Sequence, residues 1–138
     1  MTSRLQERQA NRRSDRNHKL SRWIIENYKT IYYSNDNLRR LANSFGKSVN
    51  EASLGQLIRM LTYKAVPAVR TVIPVNSRLT TKTCSACGAL TGPTGWGGLK
   101  VRQWVCGACG ASHDRDVNSA MNILIAGSGC DLKTLVTE

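Results

Sequence analysis

"CSACGALTGPTGWGGLKVRQWVCGACG", residues 84–110, decides how this chain is read. It holds two Cys-x-x-Cys pairs, Cys84/Cys87 and Cys106/Cys109, with 18 residues between Cys87 and Cys106. Two thiol pairs on short turns have the spacing of a four-cysteine zinc ribbon, in which one tetrahedral Zn2+ takes all four sulfurs. Four thiolates close the coordination shell, so the expected metal is structural and leaves no open position for a reacting water. Gly88 and Gly110 directly follow the pairs, and a glycine there lets the chain turn back so that backbone N–H groups point at the sulfurs. A redox role is the weaker alternative, because the two pairs together satisfy one tetrahedron and neither lies at a strand–helix junction of thioredoxin type. Cys130 is left over and reads as a free thiol or buried filler.

Between the pairs, the Gly- and Pro-rich first part predicts a loop and "LKVRQWV" (99–105) predicts a strand. Leu99, Val101, Gln103 and Val105 alternate there with Lys100, Arg102 and Trp104. The second set shares a face and offers contacts to a nucleic-acid backbone and base. An exposed edge strand kept soluble by charge fits the same pattern. Beyond the second pair, "HDRDVNSAMNIL" (113–124) sets two aspartates around Arg115, ahead of Val117, Ala120, Met121 and Leu124 at helical spacing. Asp114 and Asp116 either hold a metal or cap that helix. His113 is expected to shape the start of the helix rather than to bind metal.

The charge is concentrated upstream. The 138-residue chain has formal net charge +11, and residues 1–70 carry 14 Lys/Arg against 5 Asp/Glu, whereas residues 71–138 carry 6 against 4. Arg4, Arg8, Arg12 and Arg16 recur every fourth residue, so on a helix they form one stripe able to follow phosphates. Arg13, Lys19 and Arg22 add to it; the alternative is a solvated helix face. His18, beside Lys19, packs or contacts phosphate. Residues 4–28 lack Gly and Pro and predict a long helix, with Leu20, Trp23 and Ile24 turned inward near its end. "TIYY" (30–33) predicts a strand closed by the turn-forming "SNDN" (34–37). A second helix is predicted over 48–63, capped by Ser48 with Glu51 in the capping-box position, and a second strand over 69–75, near whose end Pro74 falls. Alternating helix and strand indicate an α/β fold.

At 41% hydrophobic residues, the chain can build a modest core for one domain, with or without an appended module. No apolar run approaches the roughly 20 residues of a membrane span, and the amino terminus lacks the apolar core of a secretion signal. A cytoplasmic protein is expected, which agrees with cysteines committed to metal rather than disulfides.

In combination, "RNHKLSRWIIEN" (16–27), "LIRMLTYKA" (57–65), "TCSACG" (83–88) and "HDRDVNSAMNIL" (113–124) resemble successive blocks of the C-terminal part of the transposon-encoded TnpB (IS605-type OrfB) proteins, relatives of the Cas12 effectors. The resemblance implies an RNA-guided DNA nuclease lineage with guide RNA and target DNA as partners. It also implies a partial RNase-H-like (RuvC) fold into which a zinc ribbon, the target-nucleic-acid-binding domain, is inserted. The implied organisation is a basic helix and RuvC-like portion over 1–78, the ribbon over 79–112, and the last RuvC-like helix with its tail over 113–138. In such enzymes three acids from separate motifs hold two Mg2+ ions. Asp116 matches the third acid and Asp114 its companion. The first acid is expected on a strand ahead of the long helix, outside this chain. Ser34 and Asn35 occupy the place of the second, and neither is an anionic ligand. Asp36 is the nearest substitute, although a one-residue slip on a strand reverses a side chain's face. One acid is too little to hold two Mg2+ ions, so the resemblance implies a nucleic-acid-binding piece that does not cut DNA alone. Alternatively, it is the C-terminal half of a split nuclease completed in trans by a partner chain; either a partner carrying the N-terminal half or self-association is expected to cover its bare sheet edge.

Overall fold

The computed structural model describes residues 2–35 and 53–129. Among them the chain runs α1 (Thr2–Asn27), β1 (Thr30–Ser34), α2 (Leu54–Ala65), β2 (Thr71–Val75), a one-turn α3 (Gly95–Gly98), β3 (Gln103–Val105), β4 (Ser112–Asp114) and α4 (Arg115–Ser128). The fold is mixed α/β, with two two-stranded sheets, β1–β2 and β3–β4. Among the described residues two compact units emerge: 2–31 with 53–73, and 32–35 with 74–129. No helix of the described residues is long and apolar enough to cross a membrane.

The first unit rests on α1 against α2. With neither Gly nor Pro to break it, α1 runs for 26 residues, and the Asn27 side chain closes it by donating to the Trp23 carbonyl at 2.7 Å. Its inward face differs from the expected Leu20–Trp23–Ile24. Leu20 and Trp23 are 40% and 53% exposed, and the buried positions are Asn17, Ser21 and Ile25, four apart along one face. That face is polar for most of its length because α2 supplies partners. Asn17 Nδ2 donates to Gln56 Oε1 at 2.9 Å and to the Ser53 carbonyl at 3.2 Å. Lys64 Nζ reaches the Ser21 hydroxyl at 2.7 Å and the His18 carbonyl at 3.0 Å. Only beyond this polar stretch do Ile25, Leu61 and Ala65 form an apolar cluster, joined by Ile24, Ile31, Leu57 and Val72.

α2 spans Leu54–Ala65 with Ser53 at its N-cap; the predicted start at 48, with Ser48 and Glu51, lies outside the described residues. The chain leaves α2 through the turn Val66–Val69, in which Val69 is 89% exposed and held at φ 54°, the left-handed region. The Arg70 N–H closes that turn on the Ala65 carbonyl at 2.9 Å.

The second unit is organised by two near-identical turns. In one, the Cys84 N–H donates to the Ala89 carbonyl and the Gly88 N–H to the Cys84 carbonyl, both at 2.8 Å. In the other, Cys106 N–H to Ala111 carbonyl and Gly110 N–H to Cys106 carbonyl repeat the pattern at 2.9 Å. Gly88 and Gly110 sit at φ +79° and +75°, where a Cβ would be strained, which is why glycine follows each pair. β3 and β4 pair antiparallel with Trp104 opposite His113.

The strand predicted over 99–105 shrinks to Gln103–Val105, and its faces are reversed. Trp104 is 9% exposed and packs with Cys84 and Cys106, while Leu99, Val101 and Val105 are exposed. The Val101 N–H is drawn into a turn on the Gly98 carbonyl at 3.2 Å, so only the last three residues extend, in the phase that buries the indole.

Candidate functional site

The two cysteine turns bring four sulfurs together. All four lie within 4.8 Å of one another, with Cys84–Cys109 and Cys87–Cys106 both at 3.7 Å. A tetrahedral metal with sulfur ligands at about 2.3 Å requires sulfur–sulfur edges of about 3.8 Å, so the cluster has the dimensions of such a site. Cys84 and Cys106 are buried, and Cys87 and Cys109 face solvent.

The electrostatics of the cluster also favour a cation. Cys106 is lowered to about 6, first by the Thr91 hydroxyl donating to its sulfur at 3.0 Å and then by backbone N–H groups of Cys109 and Ala108. Around Cys87 the Ala89 N–H pulls the other way, but desolvation and the sulfurs of Cys109, Cys106 and Cys84 prevail and push it up to about 12. Thiols this close share protons unless a positive ion replaces them. Sequence reasoning missed Thr91. It also underrated His113, whose Nε2 is 3.0 Å from Cys84 Sγ and whose ring lies tilted by 38° against Trp104 at a centroid distance of 4.8 Å. The signal was the strand period, which sets His113 across from Trp104.

Asp114 caps α4: its carboxylate accepts the Asp116 N–H at 3.0 Å and the Val117 N–H at 3.2 Å. Asp116, in the first turn, has a side chain 74% exposed, with Arg115 Nε 3.6 Å from its Oδ1. Of the apolar residues expected to seat α4, Val117 is 52% and Met121 38% exposed, while Leu124 is half-buried. The buried face is amide-rich. Asn118 Nδ2 donates to the Thr83 carbonyl at 2.8 Å, its Oδ1 accepts the Ser85 N–H at 2.9 Å, and Asn122 donates to the Thr80 and Thr83 carbonyls at 2.7 Å. These bonds tie the acidic corner directly to the first cysteine turn. At the end of β1, Ser34 is half-buried, and the Asn35 N–H donates to the Val75 carbonyl at 2.8 Å; Asp36 lies outside the described residues.

Arg4, Arg8, Arg12 and Arg16 are exposed along α1, and Arg13 is half-buried. Lys19 is paired to Asp15 at 2.7 Å, an exposed contact one helical turn apart. Lys100 and Arg102 are exposed in the segment leading into β3, but Trp104 does not join them. Its ring is spent on the sulfur cluster and His113 and has no open face for a base.

A family profile, Cas12f1-like, TNB domain, matches residues 55–123. A candidate RNA-guided DNA endonuclease from Streptomyces pristinaespiralis is 34% identical over 128 residues, covering 91% of this chain and 31% of that protein. TnpB-like protein L79 of Acanthamoeba polyphaga mimivirus is 32% identical over 87% of this chain and 24% of its own length. The CRISPR-associated endodeoxyribonuclease Cas12f1 of Sulfoacidibacillus thermotolerans is 32% identical over 88% of this chain and 29% of its own. This chain thus spans about a quarter to a third of the length of the curated relatives it matches. Its fold is similar to part of a protein solved in a Cas12f1–sgRNA–target DNA complex, with TM-score 0.66 at 19% identity, over 88% of this chain and 35% of that one.

Proposed function

We propose a function from one premise: the chain belongs to the Cas12f1-like, TNB domain family. It acts as a nucleic-acid-binding C-terminal piece of a TnpB/Cas12-like system that targets DNA through a guide RNA. The zinc ribbon of that piece is held by Cys84, Cys87, Cys106 and Cys109, whose sulfurs lie at tetrahedral spacing. The metal's contribution is to fix the two turns; hard-cation chemistry would have to come from carboxylates. β1, β2 and α4 correspond to part of an RNase-H-like domain, with Asp116 as its third acid.

The observation that carries the negative half of this reading is in the sequence: Ser34 and Asn35 stand where the family resemblance puts the second carboxylate. The Asp116 carboxylate by itself cannot balance two Mg2+ ions, so Mg2+ enters only if other acids complete the site. The relatives' names support guide RNA and target DNA as partners. The exposed arginine stripe of α1 supports a polyanion surface.

A split nuclease is the second reading, and the exposed Val117 and Met121 beside Asp116 favour it. An apolar helix face of that kind suits cover by a chain bringing further RuvC-like strands and acids. Purification from native cells separates the two. Bound RNA without a protein carrying RuvC-like strands supports the first, a stoichiometric partner of that kind supports the second, and recovery with neither refutes both.

A further inference from the structure

We infer that a cleft between the first cysteine turn and the start of α4 binds a phosphate group of a nucleic-acid backbone, through Lys82 and Arg115. The cleft, of about 210 Å³, is lined by Thr81, Lys82, Thr94, Gly98 and Arg115 among others, with no carboxylate on its wall. Lys82 is half-buried as a residue and lines the cleft, and its side chain makes neither an ion pair nor a hydrogen bond among the described residues. Arg115 is held in place from two sides: its N–H donates to the Arg102 carbonyl at 2.7 Å and its Nη1 to the Gly98 carbonyl at 2.9 Å. Its Nε is buried with no hydrogen-bond acceptor, Asp116 Oδ1 standing off at 3.6 Å.

The cleft is also built rather than incidental. A Cβ on Gly92 would come within 2.6 Å of the Thr81 carbonyl, and the Gly92 N–H donates to the Lys82 carbonyl at 2.8 Å. The backbone of Thr81 and Lys82 is therefore clamped, which fixes where the lysine stem leaves it. Lys82, Arg115, Thr81 and Thr94 all line the cleft, a donor set that suits a tetrahedral oxyanion. This inference rests on the nucleic-acid reading above and deepens it. Arg115 lies between Asp114 and Asp116, so a phosphate held here sets a strand beside the acidic corner.

The test uses the full metal-loaded chain. Inorganic phosphate is titrated while the Thr81, Gly95 and Gly98 amides and the Arg115 Nε–H are followed by NMR, and duplex DNA affinity is measured across a salt series. Saturable shifts are expected at those groups, with the phosphate Kd at least tenfold weaker in Lys82→Gln and restored in Lys82→Arg. The slope of log affinity against log salt should fall by about 0.9 in Lys82→Gln, equally on unrelated sequences. Lys82 has no side-chain partner to lose, so metal content and fold should be unchanged. Absence of saturable phosphate shifts, or an unchanged slope in Lys82→Gln while the wild type binds DNA, overturns the cleft and leaves the proposed function standing. Lys82-dependent phosphate binding by a chain that binds no nucleic acid upholds the cleft as an anion site and removes the nucleic-acid reading.

Discussion

Asn118 Oδ1 on the last helix accepts the Ser85 N–H at 2.9 Å, and through this bond the acidic corner is held against the first cysteine turn. Asn118 is 1% exposed, so its loss leaves the Ser85 N–H without a partner in a dry place. Asn118→Leu should therefore destabilise the second unit by about 2 kcal/mol. Asn122→Leu should cost less, because Asn118 still serves the Thr80 and Thr83 carbonyls that both amides share. Chemical denaturation monitored at Trp104 checks the order, and equal losses would show that the Ser85 bond carries no special weight.

The cysteine module should depend on metal and the first unit should not. Chelation, or Cys84→Ser, is expected to abolish the fixed environment of Trp104, which packs on Cys84 and Cys106. The helical signal of α1 and α2 should survive, since their contacts are to each other. Near- and far-UV circular dichroism with and without chelator reads the two outcomes separately.

Acid should release the metal in a defined direction. At neutral pH the Cys106 sulfur, lowered to about 6, is already a thiolate, whereas Cys87, pushed up to about 12, loses its proton only to the metal. Metal binding therefore expels protons, and apparent affinity falls as pH falls. The fall steepens below about pH 6, where Cys106 also binds a proton in the metal-free state. Competition with a chromophoric chelator between pH 5.5 and 8 measures this, and a pH-independent affinity would contradict the shared-proton picture.

Val69 is a β-branched residue at φ 54°, a conformation glycine adopts without strain. Val69→Gly should stabilise the first unit by about 0.5–1 kcal/mol, the relief of left-handed strain exceeding the added chain entropy. Its side chain is 89% exposed, so nothing is lost from the core. A lowered melting temperature would show that the turn is not strained.

What the sequence made legible were the features fixed by local chemistry. Two Cys-x-x-Cys-Gly turns need no distant partner to form, so the sulfur cluster and its glycines could be read from spacing. α1 was similarly legible, lacking any residue that would break it. Faces were not, because partners decide them. Asn17 and Ser21 are buried only because Gln56 and Lys64 arrive from 39 and 43 residues away. Trp104 turns inward to meet the sulfurs and His113, which overrides the apolar alternation that favoured Val101 and Val105. The amide face of α4 likewise hid behind a conventional apolar stripe at Val117 and Met121.

The proposed function is that this chain binds nucleic acid without cutting it. The most direct test is one assay: the zinc-loaded chain is mixed with structured RNA and labelled DNA, Mg2+ is added, and binding and cleavage are read from the same sample. A salt-sensitive mobility shift with intact DNA is predicted, identical for wild type and Asp116→Ala. Mg2+-dependent cleavage that disappears in Asp116→Ala would contradict the account.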